Sequence, residues 1–225
     1  MLAWARIGVR RVGFSTTFLG TLSPPFFRVF AAPPTFLALP YTRLTMIFER
    51  ALGGAYVIDI EPLRDQRGFF ARTYCAREFA DHGLPTDFPQ CNLSRNGQLH
   101  TLRGMHYNTA THRESKLVRC VAGAVYDVIV DLRLDSPTRL AWMGVELTAE
   151  NGRALFVPSG FAHGFLTLAE NSDVFYHMGA SYVADAARGL RWNDPQIGIR
   201  WPAPPAALSL RDSQYADFDP EKFDG

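Results

Sequence analysis

The chain has 225 residues, of which 47% are hydrophobic, and a formal net charge of +1 at pH 7. This length can bury the core of one β-rich domain or of two small ones. A net charge so close to zero gives no support for binding to nucleic acid or to an anionic membrane surface.

The cysteines indicate the redox compartment. The sequence has three of them, Cys75, Cys91 and Cys120. Their number is odd and no two form a C-x-x-C pair, which argues against a disulfide framework and against a zinc site. We therefore expect free thiols in a reducing compartment, and the predicted location is the cytoplasm.

Residues 1–45 differ in composition from the rest of the chain. They are apolar and rich in proline, and they show no sustained helical or strand period. Residues 1–48 hold five arginines and no acidic residue, a bias that can signal organelle import, although prolines would interrupt a long amphipathic helix. No apolar run there approaches the length of a membrane span. We predict an irregular N-terminal extension over residues 1–45, either disordered or upstream of a true start at Met46, and one domain over residues 46–225.

From Ala55 onward the pattern is that of short strands. Ala55–Ile60 is rich in β-branched and aromatic residues, Asp65–Gly68 predicts a turn, and Phe69–Tyr74 continues the strand pattern. A short helix is predicted over Ala76–Asp81 and ends at Gly83. Further strands are predicted over Lys116–Val121, Val125–Leu132, Met143–Leu147, Ala154–Val157, Gly164–Leu168 and Val174–Met178.

Turn signals separate these strands, and no long helices alternate with them. This arrangement predicts an all-β fold, a sandwich or a barrel. Within the strand Val125–Leu132, Asp127 and Asp131 are assigned to turns or salt bridges.

One run of the sequence concentrates reactive side chains. Thr101–Tyr107 contains Arg103 and His106, and Lys116 follows just before a strongly apolar strand pattern. A neutral imidazole is well suited to take a proton near pH 7, and a nearby ammonium stabilises the negative charge that the transfer leaves. Considered by itself, the run favours a surface loop that carries one solvated histidine between basic residues, and only the later parts of the chain favour a catalytic role.

A second run, Asn151–Asn171, combines Gly152, a Pro-Ser-Gly turn and His163. Its spacing resembles the second sequence motif of the cupin superfamily, which implies a cupin-like jelly-roll barrel with a few short helices. Metal-dependent cupins complete a metal site with an earlier H-x-H and a following Glu. Here position 108 is Asn, so His106 stands alone, and we predict no metal site.

Further segments in a fixed order extend the resemblance over residues 46–216. In chain order they are Asp65–Phe70, Gln90–Ser94, Leu102–Tyr107, Lys116–Arg119, Asp127–Arg133, Ser136–Thr138, Pro158–Phe165, Tyr176, Arg191–Pro195, Ile199–Pro202 and Leu208–Asp212. Together they resemble the deoxysugar-nucleotide epimerases of the dTDP-4-dehydrorhamnose 3,5-epimerase type. Each segment is a weak signal, whereas the ordered set is specific.

The resemblance implies a nucleoside-diphosphate 4-keto-6-deoxyhexose as substrate. Its C4 ketone acidifies the protons on C3 and C5, so epimerisation requires proton transfer and no cofactor. The implied catalytic residues are His106 as base, Asp212 as the group that orients its imidazole, Tyr176 as acid on the opposite face, and Lys116 beside the C4 oxygen. Without the family match, we would interpret Tyr176 as an aromatic residue of the core, Asp212 as a solvent-exposed carboxylate and Lys116 as a charged residue at the edge of a strand.

The same resemblance implies a binding set and an assembly. The implied substrate-binding residues are Arg67, Gln90, Asn92, Arg103, His163 and Tyr182. The two arginines suit a diphosphate because a planar guanidinium binds phosphate oxygens with two donors. The family forms homodimers by strand exchange, so residues near Asp65–Tyr74 are expected to reach the neighbouring subunit's pocket.

The sequence departs from the family pattern around the nucleotide and the sugar. The departures are Arg72, Cys91, Asn108, His177 and one extra residue in the loop between Asn92 and Arg103. The predicted proton-transfer residues are all present. Four readings stay open: a 3,5-epimerase, a relative that epimerises one carbon or acts as a 3,4-ketoisomerase, a metal-dependent cupin, and a silent cupin that only binds a sugar nucleotide.

Overall fold

Short strands joined by turns make up most of the structure, a computed structural model that describes residues 44–221 and residue 223. The predicted extension over residues 1–45 therefore lies outside the described residues, apart from its last two. None of the described helices is long and apolar enough to cross a membrane.

The described residues form fourteen strands and two α-helices. The strands are β1 (Met46–Arg50), β2 (Tyr56–Ile60), β3 (Leu63–Asp65), β4 (Gly68–Phe70), β5 (Gln90–Asn96), β6 (Thr101–Asn108), β7 (Lys116–Ala122), β8 (Ala124–Asp131), β9 (Trp142–Thr148), β10 (Ala154–Val157), β11 (Phe161–Thr167), β12 (Ser172–Met178), β13 (Ala187–Gly189) and β14 (Ala207–Leu208). The helices are α1 (Ala76–Asp81) and α2 (Leu210–Ser213), and short 3-10 turns cover Leu52–Gly54, Ala110–His112 and Ala184–Ala186.

Two large sheets and one small hairpin contain these strands. The first sheet has the order β1-β2-β10-β7-β12-β5, and the second has the order β13-β6-β11-β8-β9. Strand β14 pairs with β6 in parallel, whereas the other described pairs are antiparallel. Strands β3 and β4 pair only with each other. Apart from the pairs β1–β2 and β8–β9, neighbouring strands in the two large sheets are not consecutive in the chain, as in a jelly roll.

The two large sheets face each other across a shared apolar core. Its buried members include Val118, Cys120, Leu155 and Val174 from the first sheet and Val125, Ile129, Leu147 and Phe165 from the second. Each apolar side chain that leaves water here stabilises the fold by roughly 1.5–3 kcal/mol. The predicted all-β, cupin-like jelly roll is confirmed.

Most predicted elements are found. Helix α1 has the predicted bounds, and each of the strands predicted after Lys116 overlaps an observed strand. The strand pattern predicted through Tyr74 is wrong beyond Phe70, where β4 ends. Strands β5 and β6 were not predicted as strands, although they carry several of the candidate site residues.

The pairing of β6 with β11 contains a bulge that matters for the site. His106 lies opposite His163 and Arg103 lies opposite Phe165, so β6 advances three residues where β11 advances two. Gly104 sits in this bulge with a φ of 129°, and a Cβ there would come within 2.5 Å of the β11 backbone. Strand side chains normally alternate between faces, so the extra residue turns Arg103 and His106 to the same side.

Asp131 organises the turn that follows β8. Its carboxylate is fully buried and accepts hydrogen bonds from the side chains of Arg133, Ser136 and Thr138. Burial by itself would raise the pKa of this carboxyl, but the three side-chain donors and the Arg133 N–H lower it from 3.8 to about 2. The salt bridge with Arg133 confirms the role assigned to Asp131.

Asp131→Asn should lower the free energy of unfolding by about 2 kcal/mol at pH 7. A carboxyl whose pKa is lower in the folded state stabilises the fold above its unfolded pKa, and this stabilisation is lost as the pH falls through the folded value. The difference in the free energy of unfolding between the variant and the wild type should therefore shrink as the pH falls from about 4 to about 2. Denaturant titrations across this pH range measure the free energy of unfolding, and exposed Asp135→Asn is the control. If Asp131→Asn lowers the free energy of unfolding equally at every pH, this account is wrong.

Candidate active site

A cavity of about 270 Å³ lies between the two sheets beside the apolar core. Strands β5, β6, β7, β11 and β12 supply its walls. The lining residues are Asn92, Leu93, Ser94, Arg103, His106, Lys116, His163, Phe165, Tyr176 and Met178. Six of the predicted site residues are thus brought together from five separate strands.

His106 is paired with a buried carboxylate. Its Nε2 lies 2.7 Å from Oδ1 of Asp212, which is 4% exposed. The second oxygen of Asp212 accepts the N–H of Gly104. Asp212 belongs to α2, where its own N–H donates to the Oγ of Ser209, the N-cap residue. The helix cap and the β6 bulge therefore fix the carboxylate against the imidazole.

This pair sets the tautomer of the neutral imidazole. Burial opposes ionisation of Asp212, but the hydrogen bonds from His106, Gly104 and Ser209 outweigh burial and hold its pKa below the ordinary value. An ionised carboxylate accepts a hydrogen bond, so in a neutral His106 the proton resides on Nε2. Its other nitrogen, Nδ1, then carries a lone pair that can accept a proton.

Tyr176 contributes a phenol that stays protonated. It lies on β12 between β5 and β7, and its ring stands edge-on to His163 with the centroids 6.0 Å apart. Burial and the negative charge of Asp127 both raise the pKa of this phenol, whereas Arg103 acts in the opposite direction with a smaller effect. A phenol held in its neutral form can donate a proton.

A second histidine–carboxylate pair lies in the wall. Nε2 of His163 is 2.9 Å and 3.0 Å from the two oxygens of Asp127, and both side chains are buried. The sequence assigned Asp127 only to a turn or a salt bridge, and the contact with His163 makes it part of the site. The alternation of β8 directs Asp127 toward the interior together with Val125 and Ile129.

Two further polar contacts were not predicted. Arg103 donates from Nε to Oδ1 of Asn96 at 2.7 Å, which anchors its guanidinium at the cavity wall. Lys116 lies 3.5 Å from a carboxylate oxygen of Glu114. No pattern in the sequence singled out Glu114, because it occupies a loop between Arg113 and Ser115 and belongs to no motif.

Three predicted binding residues do not line the cavity of this chain. Arg67 lies in the turn of the β3–β4 hairpin, where its side chain is 84% exposed and paired with Asp65. Gln90 donates to Oδ1 of the cavity residue Asn92 and accepts the N–H of Tyr182, whose side chain is exposed. Gln90 and Tyr182 therefore lie at the edge of the cavity.

Within residues 44–221 and 223, no group of three or more His, Cys, Asp or Glu side chains is arranged to hold a metal ion. The histidines of the site each contact an aspartate instead.

Comparison with known proteins identifies the family. A family model described as dTDP-4-dehydrorhamnose 3,5-epimerase matches residues 49–219. The enzyme of that name from Sinorhizobium fredii is 41% identical over 163 residues, which are 72% of this chain and 84% of the relative. The Salmonella typhimurium enzyme of that name is 38% identical over 160 residues, which are 71% of this chain and 87% of the relative.

Solved structures agree with the sequence relatives. The dTDP-4-dehydrorhamnose 3,5-epimerase of Bacillus anthracis, with TDP and PPi bound, superimposes with a TM-score of 0.75 at 37% identity, covering 77% of this chain and 100% of that one. The Legionella pneumophila dTDP-6-deoxy-D-glucose-3,5-epimerase, in complex with dTDP-4-keto-L-rhamnose, gives 0.74 at 34% identity over 80% of this chain and 97% of that one. The chain belongs to the dTDP-4-dehydrorhamnose 3,5-epimerase family.

Proposed function

We propose that the chain epimerises C3 and C5 of a nucleoside-diphosphate 4-keto-6-deoxyhexose, of the type that converts dTDP-4-dehydro-6-deoxyglucose to dTDP-4-dehydrorhamnose in dTDP-rhamnose or related deoxysugar biosynthesis. The observation that carries the proposal is that one cavity is lined by both Tyr176 and His106, and that His106 is paired with the buried carboxylate of Asp212. A base and an acid that share one cavity can exchange a proton at a carbon from two directions.

In this mechanism His106 removes the proton from the carbon next to the C4 ketone, through Nδ1. The electron pair of the C–H bond moves to the C4 oxygen and forms an enolate, which the Lys116 ammonium stabilises. Asp212 stabilises the imidazolium that results. Tyr176 then delivers a proton to the opposite face of the same carbon and inverts its configuration.

Substrate binding is proposed for the residues at the wall and the edge of the cavity. Arg103, fixed by Asn96, would bind the diphosphate, and Asn92 and His163 would contact the sugar or nucleotide. Gln90 and Tyr182 would contact the nucleotide from the edge, where Gln90 already bonds to Asn92.

Arg67 is proposed to act in a homodimer. The hairpin that carries it exposes Phe69 and Phe70, which are 48% and 67% accessible. Exposed aromatic residues beside a projecting arginine are typical of a surface that becomes covered in an assembly. We propose that the hairpin enters the cavity of a second copy and places Arg67 at its diphosphate.

A cytoplasmic location is also part of the proposal. All three cysteines are free: Cys75 is partly buried, Cys91 is exposed and Cys120 is buried. Free thiols are typical of reducing compartments.

A second candidate function is epimerisation at one carbon. ChmJ, a 3'-monoepimerase from Streptomyces bikiniensis, superimposes with a TM-score of 0.68 at 30% identity and covers 73% of this chain and 83% of that one. The number of exchanged hydrogens separates the two activities, because each epimerised carbon acquires one hydrogen from solvent.

Incubation with a 4-keto-6-deoxyglucose nucleotide in D₂O should introduce one deuterium at C3 and one at C5, as followed by proton NMR. Deuterium at one position only would favour a monoepimerase, and a 3-keto product would indicate a ketoisomerase. Binding of the sugar nucleotide without uptake of deuterium would indicate a protein that binds the nucleotide but does not catalyse epimerisation. Activity lost with a chelator and restored by a metal ion would contradict the proposed mechanism in favour of a metal-dependent cupin.

His106→Ala and Tyr176→Phe should each lower kcat by about 10²–10⁴-fold, because each removes a group that transfers a proton. Steady-state kinetics measure the loss, and the folded state is checked by thermal unfolding. Exposed His112→Ala is the matched control and should keep the wild-type rate. Near-normal epimerisation by His106→Ala would rule out its role as the base.

Arg67→Ala should raise KM without changing stability, since the side chain is exposed in the single chain. The dimer is tested by mixing Arg67→Ala with His106→Ala subunits under conditions that exchange them. If Arg67 acts on the partner's site, each mixed dimer regains one intact site, and a statistical mixture assayed at a substrate concentration well below KM recovers about a quarter of the wild-type kcat/KM. An activity equal to the average of the two variants would show that Arg67 does not act across the interface.

A further inference from the structure

Lys116 and Glu114 form an ion pair that is almost completely withdrawn from solvent. Nζ lies 3.5 Å from Oε2, and the side chains are 13% and 8% exposed. Lys116 lines the cavity, whereas Glu114 is not among the described residues that line it. The carboxylate therefore contacts the ammonium without occupying the space in which a substrate would bind.

The backbone at or beside each partner is hydrogen-bonded to neighbouring segments. Lys116 begins β7 and is paired with Val157 of β10 on one side and Met178 of β12 on the other. Glu114 precedes Ser115, whose carbonyl accepts the N–H of Gly179 at 2.8 Å. The backbone of Lys116 is thus paired with Met178 at the end of β12, and the loop that carries Glu114 is hydrogen-bonded through Ser115 to Gly179, the next residue.

Burial acts against both charges. It lowers the pKa of the Lys116 ammonium and raises that of the Glu114 carboxyl, and the attraction between the two groups opposes each shift. Other ionisable groups that face the cavity or lie in its wall are Arg103, His106, Asp127, His163 and Tyr176. Asp127 also attracts the ammonium, but it is engaged by His163. Glu114 is therefore the carboxylate in direct contact with Nζ.

The choice of lysine has a chemical consequence. Lys116 and Lys222 are the only lysines among the 23 Lys and Arg residues of the sequence. A guanidinium remains charged in nearly any protein environment, whereas a buried ammonium can lose its proton when its partner is removed. The charge at this wall of the cavity therefore depends on its neighbours.

We infer that Glu114 is a positioning residue, which keeps Lys116 charged and directs its ammonium toward the cavity. The pairing stands on the geometry alone. The consequence for catalysis rests on the proposed function, in which the Lys116 ammonium stabilises the enolate oxygen. Glu114 would act through Lys116 and would not touch the substrate.

The pairing can be measured without any activity assay. In protein labelled with [ε-¹³C]lysine, Lys222→Arg leaves Lys116 as the single labelled side chain, and NMR follows its titration. Glu114→Gln should move this titration to lower pH, Glu114→Asp should restore part of the shift, and exposed Glu170→Gln should leave it unchanged. A titration unaffected by Glu114→Gln, or a wild-type Lys116 that is uncharged at neutral pH, would overturn the inference.

Kinetics test the catalytic consequence. In Glu114→Gln the basic limb of the pH profile of kcat/KM should move to lower pH, with about a tenfold loss for each pH unit beyond the new midpoint, while the acidic limb stays in place. In a Lys116→Met background, Glu114→Gln should change the rate less than about twofold, because its partner is absent. A pH-independent loss that persists in that background would show a merely structural role.

The two measurements separate two kinds of failure. If Glu114→Gln shifts the NMR titration and no epimerisation is detected in the wild type, the ion pair is retained and the proposed function is wrong. If the wild type epimerises and neither the titration nor the pH profile responds to Glu114→Gln, the proposed function is retained and the inference about Glu114 is wrong.

Discussion

The hydrogen bond between His106 and Asp212 joins two residues that are 106 positions apart in the chain. It requires the β6 bulge at Gly104, because the N–H of that residue donates to the second carboxylate oxygen. It also requires α2, which Ser209 caps from its N-terminus. A change in the bulge or in the helix cap would therefore move the carboxylate relative to the imidazole, and the properties of the candidate base depend on both.

The cavity places charge beside a core that is otherwise apolar. Removing an isolated ionised group from water is costly, so a stable arrangement needs a partner for each buried charge. Asp212 has His106, Asp127 has His163, and Lys116 has Glu114. The same carboxylates give His106 and Tyr176 different roles. Asp212 orients the imidazole of His106, whereas burial and Asp127 keep the Tyr176 phenol protonated.

The sequence predicted those strands whose side chains follow the usual pattern and missed β5 and β6, two of the five strands that line the cavity. Strand β8 is buried and rich in β-branched residues, and it was predicted within a residue or two. Strand β5 contributes Asn92, Leu93 and Ser94 to the cavity lining, and Leu93 is 57% exposed, so the strand has no clear apolar face. In β6 the bulge at Gly104 interrupts the alternation itself. Local periodicity cannot identify a strand whose inward side chains are polar.

By itself the sequence determined the all-β class and the family and predicted which side chains are reactive, because strand propensity, turn residues and ordered motifs are local properties of the chain. Only the tertiary structure decided that Asp127 contacts His163, that Glu114 contacts Lys116, and that Arg67 stands apart from its own chain's cavity. Such contacts join residues from different strands and loops, and they follow from sheet register and packing, which no local pattern specifies.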